Sequence, residues 1–396
     1  MKTVCHVITK LELGGAQEVA LYAVSHLDPA RFRSMLVAGP GGLLTGDAKA
    51  LSHVDVTILP ALGRDIRFFG DLAAFLQLYR CFKTHRPAVV HTHSSKAGIL
   101  GRWAAWLAGV PVIVHTIHGY GITPNQPPWV RRCFIWLERL TGLITSQWIA
   151  VSHADMAQGF QWGLFSAGNV SVVRPGIDPR PYETRLDPDD RAAVRAEFGA
   201  GPQDWLVGSV ACFKPQKAPA DFLAVAKQVC EAIPQARFVL VGDGELRPHI
   251  ERLIKTLNLD GRLCLAGWRR DIPRVMQAFD AFLLTSHWEG LPRVLLEART
   301  VGLPTVATNV GGSAEAVSTE MQGWLSQAGD TQQLAQHLCE VYRASEANQF
   351  TPRVQTPLLP QEFHLDEMVK QYEYLYDRLD TRRERKHGQG TVVVTP

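Results

Sequence analysis

Two glutamates eight residues apart, Glu289 and Glu297, frame the stretch Ser286-His287-Trp288-Glu289-Gly290-Leu291-Pro292-Arg293-Val294-Leu295-Leu296-Glu297-Ala298. Pro292 suits the first position of a helix, where its missing N–H costs nothing. The N–H groups of Arg293, Val294 and Leu295 then have no partner inside the helix. With the helix dipole they favour an anion such as phosphate. Amides for a diphosphate, one carboxylate for sugar hydroxyls and another for ribose hydroxyls are what a nucleotide sugar requires. Taken singly, Glu289 reads as a solvated side chain on a structural loop.

Other segments carry polar groups at the ends of strand-like runs. Gly14 and Gly15, between a first strand and a first helix, allow a ligand close to the backbone. His115-Thr116-Ile117-His118-Gly119 ends another strand. His91 and His93 alternate along a strand, but a metal needs one more ligand and the sequence shows none nearby, so they read as structural. Asp187-Pro188-Asp189-Asp190 holds an Asp-x-Asp, which here opens a helix, where aspartate caps are expected. No Gly-x-Gly-x-x-Gly occurs, which argues against a nicotinamide or flavin enzyme.

These segments need a scaffold that places loops at strand ends. Strand-like runs fall at 4–9, 34–37, 54–59, 89–92, 112–116, 148–151 and 170–173, separated by helical patterns at 16–25, 71–83, 96–108, 130–143 and 154–160. Such alternation predicts βαβ units and a parallel sheet. Residues 174–204 contain five prolines and no strand-like run, only one helical stretch at 191–198, and read as a linker. A second series follows, with strands at 206–211, 237–241, 263–266, 281–284 and 305–307, and helices at 218–232, 246–257, 272–279, 293–300 and 331–344. The predicted domains are 1–173, the linker 174–204, 205–361, a terminal helix over 362–380 and a disordered basic tail over 381–396. Doubly wound sheets bind ligands beyond the carboxyl ends of their strands, so two such domains facing each other predict a ligand in the cleft between them.

The Glu289–Glu297 motif resembles the donor motif of the retaining GT-B glycosyltransferases of glycosyltransferase family 4, the group 1 family. Gly242-Asp243-Gly244-Glu245, Gly267-Trp268-Arg269-Arg270-Asp271 and Ala307-Thr308-Asn309-Val310-Gly311-Gly312 resemble further family segments in the same order. The resemblance spans essentially all of residues 1–380. It implies an α/β GT-B fold, two Rossmann-like halves facing across a cleft, with the last helix crossing back to the first. It implies sugar transfer from a nucleotide-diphosphate donor with retention, by front-face attack in which the leaving phosphate takes the acceptor proton. Site roles follow the matching positions. His118 faces the transferred sugar, and Lys217 grips the diphosphate. Glu289 holds sugar hydroxyls. Gly14, Gly15, Gly242, Trp268, Arg269, Gly290, Leu291, Arg293, Val294 and Glu297 surround the donor. The family's early arginine in the Lys217 loop falls on Cys212, with Lys214 as a cationic substitute that lacks the bidentate geometry. His118–Gln126 is a candidate specificity loop. No metal or other cofactor is expected, and a UDP-sugar is the favoured donor.

Composition sets the remaining bounds. A chain of 396 residues, 46% hydrophobic and 20% charged, fits two or three globular domains and no disordered class. No apolar run reaches membrane-spanning length and no signal peptide is evident. Seven scattered cysteines without a C-x-x-C argue for a reducing compartment. Residues 1–173 hold 15 Lys and Arg against 9 Asp and Glu, while the rest hold 26 against 29. The excess lies beside Arg64, Arg67, Phe68 and Phe69 and beside Trp129, Arg131, Arg132, Phe134 and Trp136, a mixture found in interfacial helices. A cytoplasmic enzyme, peripheral at an anionic membrane and acting on a carbohydrate or lipid-linked acceptor for cell-surface polysaccharide, is the favoured expectation. Inward packing of Phe134, Trp136 and Leu140 is the equal alternative for that helix. No nucleic-acid partner is expected, and the oligomeric state is open. Competing readings are a non-catalytic two-domain protein binding sugar or anion, and a GDP-mannose-dependent transferase with a soluble acceptor. Hydrolysis by two carboxylates is disfavoured, because eight helical residues rise about 12 Å.

Overall fold

The computed structural model describes residues 1–123, 126–317, 323–347 and 359–388, with side chains to residue 381. The chain divides into two units, Met1–Gly176 together with the segment from Leu365, and Ile177–His364.

In the first unit, short runs rich in Val and Ile form β1 (Lys2–Ile8), β2 (Phe32–Ala38), β3 (Val54–Ile58), β4 (Val89–His93), β5 (Val112–Ile117), β6 (Gln147–Ala150) and β7 (Val170–Val172). The connecting helices are α1 (Gly15–His26), α2 (Thr45–Lys49), α3 (Phe68–His85), α4 (Ser95–Ala108), α5 (Pro128–Gly142) and α6 (His153–Gln161). The strands pair in parallel in the order β3-β2-β1-β4-β5-β6-β7. Every residue of β4 and β5 is buried, as expected for parallel strands covered on both faces. Chain order reverses between β1 and β4, which makes that pair the topological switch point.

The second unit begins within the stretch expected to be a linker. It contains α7 (Arg180–Glu183) and α8 (Pro188–Glu197), followed by β8 (Trp205–Val210), α9 (Pro219–Ala232), β9 (Ala236–Val241), α10 (Arg247–Thr256) and β10 (Leu263–Gly267). Then come α11 (Ile272–Ala278), β11 (Ala281–Leu284), α12 (Arg293–Val301), β12 (Thr305–Thr308), α13 (Ser313–Ala316), β13 (Gly323–Ser326) and α14 (Thr331–Glu346). The sheet order is β10-β9-β8-β11-β12-β13, again parallel, with its switch between β8 and β11. Asp187 caps α8 by accepting the Asp190 N–H at 2.7 Å, the role the sequence suggested. Arg191 and Arg195 of α8 grip Asp280, just before β11, at 2.6 and 2.8 Å. Residues 177–204 are thereby fastened to the second sheet.

The last helix, α15 (Leu365–Gly388), belongs to the first unit and starts three residues later than the sequence pattern suggested. Its Leu365, Met368, Val369, Tyr372 and Tyr376 pack with Val4, Val19, Phe32 and Val114. Lys2 binds Asp380 at 2.7 Å and Arg31 binds Glu373 at 2.7 Å. The helix continues past 380 into the stretch expected to be disordered, of which 389–396 lies outside the described residues.

Helix α5 resolves the question of its apolar face. Its buried residues are Glu138 and Thr141, whereas Trp129 and Trp136 are 73% and 63% exposed. Phe134 and Leu140 are half-buried. The inward face meets Arg102 of α4, which is wholly buried and donates to Glu138 Oε2 at 2.6 Å and to the Gly98 carbonyl at 2.9 Å. Its guanidinium also lies 4.6 Å over the Trp148 ring. Burial lowers the Arg102 pKa from its ordinary value, and Glu138 opposes that shift. Glu138→Ala strips a buried charge of its partner and should cost about 3–5 kcal/mol in chemical denaturation. Replacing the pair together, Arg102→Met with Glu138→Leu, should recover most of that loss. Equal destabilisation of the single and double variants would contradict the account.

Candidate functional site

The switch point of the second sheet gathers the polar groups singled out in the sequence. After β8 the chain makes one 3-10 turn, Pro215–Lys217, before α9. After β11 it runs through Thr285–Pro292 to α12. The two loops are stitched together. The His287 N–H donates to the Gln216 carbonyl at 2.8 Å, and the Thr285 hydroxyl donates to the Lys217 carbonyl at 3.1 Å. Ala218 closes the turn with φ 45°, a left-handed conformation costly for any residue but glycine, and so carries strain beside Lys217.

Lys217 and Glu289 form an ion pair across these loops. Ser286 Oγ donates to the same carboxylate oxygen at 2.6 Å, and Gln216 Nε2 reaches the other oxygen at 3.4 Å. Glu289 is 9% exposed, so it is held rather than solvated, against the reading of a single loop glutamate. Behind it the backbone is tight. Gly311 has φ +52° and a Cβ there would lie 2.1 Å from the Glu289 carbonyl oxygen. The Gly312 N–H donates to the Gly290 carbonyl at 2.6 Å. Gly242 (φ +132°) meets the Ala211 carbonyl as closely, since a Cβ would come within 2.0 Å. Both glycines are required by close approach of backbone to backbone.

The head of α12 differs in detail from the sequence expectation. Pro292 is the cap and Arg293 the first helical residue. The Leu295 N–H is spent on the Pro292 carbonyl at 3.0 Å, so of the three amides expected to face an anion, those of Arg293 and Val294 remain candidates. Gly290 and Leu291 are buried at the turn, and Glu297 is buried one turn into the helix. Lys214 precedes the 3-10 turn and is half-buried. Trp268 is 43% exposed after β10, available for stacking. Arg269 is bound to Asp271 and Glu197, both at 2.7 Å, which raises its pKa above the usual arginine value. It therefore acts first as a structural clamp.

In the first unit, Gly14 caps α1 with an ordinary extended φ of −177°, and Gly15 opens the helix. Glycine is not required there by conformation. His115 is structural, as expected: it is buried, bonded to Thr92 Oγ1 at 2.8 Å and packed edge-on against Trp148. His118 is half-buried just beyond β5, with Nε2 2.9 Å from His93 Nδ1. In the loop that follows, Pro124 and Asn125 lie outside the described residues.

The sequence reading found no third group near His91 and His93. The structure supplies one. His6 of β1 sits directly opposite His91 of β4 in the parallel register, and its Nδ1 lies 3.0 Å from His93 Nε2. The signal was a histidine at the centre of each of two strands, which only the sheet order brings together. Ring atoms of His6, His91 and His93 lie within 4.8 Å of one another. Next to His93, Ser94 adopts φ 63°, ψ 151° and its hydroxyl meets Thr9 Oγ1 at 2.5 Å. That strain falls at the first sheet's switch point.

Comparison with known proteins gives the family and the fold. The family model for glycosyltransferase family 4 matches residues 13–180, and that for glycosyl transferases group 1 matches residues 190–351. The chain is 34% identical over 330 residues to the UDP-Gal:α-D-GlcNAc-diphosphoundecaprenol α-1,3-galactosyltransferase of Escherichia coli, covering 83% of this chain and 84% of that one. It is 27% identical to the N-acetyl-α-D-glucosaminyl L-malate synthase of Bacillus anthracis, over 81% of each chain. Among solved structures, HepE of Anabaena in complex with UDP and glucose superposes with a TM-score of 0.80 at 23% identity, covering 95% of this chain and all of that one. With two doubly wound units and both halves matched, the chain belongs to the group 1 glycosyltransferases of family 4 and has the GT-B fold.

Proposed function

We propose that this glycosyltransferase moves a sugar, with retention, from a UDP-sugar to a lipid-linked saccharide at an anionic membrane surface, in the assembly of a cell-surface polysaccharide. The observation that carries the donor half is the Lys217–Glu289 pair, held by Ser286 and Gln216 at the switch point of the second sheet. The name of the Escherichia coli relative, which specifies a UDP-galactose donor and a diphosphoundecaprenol-linked acceptor, and the UDP complex of HepE support the choice of substrates.

In this reading Lys217 exchanges its carboxylate partner for the donor diphosphate, joined by the amides of Arg293 and Val294. Glu289, released from Lys217 but still held by Ser286, accepts hydroxyls of the sugar. Glu297 takes the ribose hydroxyls and Trp268 lies against the base. His118 is the residue this reading assigns to the transferred sugar. The leaving phosphate accepts the acceptor's proton, so no protein nucleophile is needed.

The membrane half rests on α5 and the start of α3. Phe68 and Phe69 are 79% and 83% exposed, and Trp129 and Trp136 join them as uncovered aromatics. Arg67 and Arg132 are exposed among them, while Arg131 is half-buried. The Phe68-Phe69 turn follows β3 and Trp129 follows β5, so both lie at the edge of the sheet where parallel strands end. Among the described residues no helix is long and apolar enough to cross a membrane.

Three tests follow. Glu289→Gln and Lys217→Ala should each lower turnover on the order of a hundredfold with a UDP-sugar when assayed well below their own melting temperatures, Lys217→Ala also melting lower because Glu289 loses its partner. Wild-type turnover in either variant would refute the site. Transfer should persist in excess chelator, since amides and Lys217 serve the diphosphate. Loss of activity that manganese or magnesium restores would refute metal independence. Co-sedimentation should require vesicles containing anionic lipid and weaken as salt rises, with each near-surface arginine worth about 1 kcal/mol. Arg67→Glu with Arg132→Glu should abolish it. Equal binding to neutral vesicles, or none to either, would leave the acceptor in solution.

A further inference from the structure

His118 does not stand alone. Its Nε2 meets His93, and His93 meets His6. His6 Nε2 then lies 3.3 Å from the Tyr376 hydroxyl of α15, and that hydroxyl lies 2.6 Å from His91 Nδ1. His91 Nε2 ends on Thr116 Oγ1 at 2.6 Å. Every ring nitrogen of His93, His6 and His91 is thereby used once, within a single unbranched chain.

A neutral imidazole donates from one nitrogen and accepts at the other. In an unbranched chain this leaves two self-consistent arrangements. Either His118, His93, His6 and His91 all carry the proton on Nε2, with Tyr376 donating to His91. Or all four carry it on Nδ1, with Tyr376 donating to His6. A mixture among His118, His93 and His6 sets two lone pairs or two N–H groups against each other in a dry interior, and a change of sense at Tyr376 leaves either its phenol proton or one imidazole lone pair without a partner, each at a desolvation cost. The rings do stay neutral. Burial pushes the His6 pKa down to about 3 and those of His91 and His93 well below the usual histidine range. Burial also lifts the Tyr376 phenol well above its ordinary value, so it does not ionise. The inner end is closed by Thr116, beside the buried Tyr372 hydroxyl. Burial raises the Tyr372 pKa, so nothing at that end gives up a proton near neutral pH, none passes along the chain, and its polarity is locked.

We propose that His93, His6, Tyr376 and His91 are positioning residues that hold His118 in a single tautomer, so that the nitrogen it turns away from His93 has one fixed hydrogen-bonding sense. The role in transfer rests on the reading that His118 faces the sugar. The locking itself does not. It also gives the nitrogens of three histidines close enough for a metal a partner each within the chain of hydrogen bonds.

The test is ring-nitrogen NMR of the full chain labelled at histidine, which reads each tautomer. The four histidines should show one shared tautomer, all Nε2–H or all Nδ1–H. In Tyr376→Phe, which keeps the ring and removes the hydroxyl, His93 and His118 should become tautomer mixtures. In that variant kcat should fall on the order of ten- to a hundredfold, with donor KM within about twofold. Different tautomers within the wild-type set overturn the proposal. So does stoichiometric zinc on the purified protein that perturbs His6, His91 and His93, which would make the cluster a metal site. An unchanged His118 spectrum in Tyr376→Phe also overturns it. A melting shift in that variant with the tautomers intact counts as overturning. Should the shared tautomer hold while His118→Ala retains full activity, it is the assignment of His118 to the sugar that fails.

Discussion

Strands β8 and β11 are neighbours in the second sheet, yet right-handed crossovers send their chains to helices on opposite faces. The loops that follow them must therefore part, and the gap between them is the place where a ligand can reach helix amides from one side and loop side chains from the other. Everything in the candidate site of the second unit answers to that divergence. The 3-10 turn brings Lys217 to one lip, Thr285 and His287 tie the lips together, and Glu289 fills the space between. The strained Ala218 and the glycines behind Glu289 are what this closeness costs in backbone freedom.

The first unit solves a different problem. Its helix α5 turns Glu138 and Thr141 inward, with Phe134 and Leu140 half-buried beside them, and leaves Trp129 and Trp136 exposed. The inward carboxylate answers the charge of Arg102, which lies wholly buried beneath it.

The order of elements was legible because parallel strands covered on both faces read as short apolar runs, and because helices of ten residues or more show their period. The one-turn helices α2, α7 and α13 are too short to show a helical period, and β13, Gly-Trp-Leu-Ser, lacks the longer apolar run of the other strands. The stretch 177–204 looked like a linker from its prolines, but its fold depends on Arg191 and Arg195 reaching Asp280 some 85 residues on. Lys217 and Glu289 were legible through motif spacing. His6 was not, because its meaning lies in a cross-strand pairing with His91 that no local pattern announces. The Leu295 amide was misjudged for a similar reason: a cap shifted by one residue changes which N–H groups are left over.

Helix α15 places Tyr372 and Tyr376 in a core that draws on β1, β2, β4, β5, β6 and α1. The first unit to emerge from the ribosome is thus the last that can be finished. The second unit is continuous from Ile177 to His364 and holds all its own parts once synthesised. The first must wait, with the apolar face that α15 will cover still open, until nearly the whole chain has been made. A chain that stopped just short of Leu365 would hold every residue of the later-made unit and still lack the helix that closes the core of the earlier one.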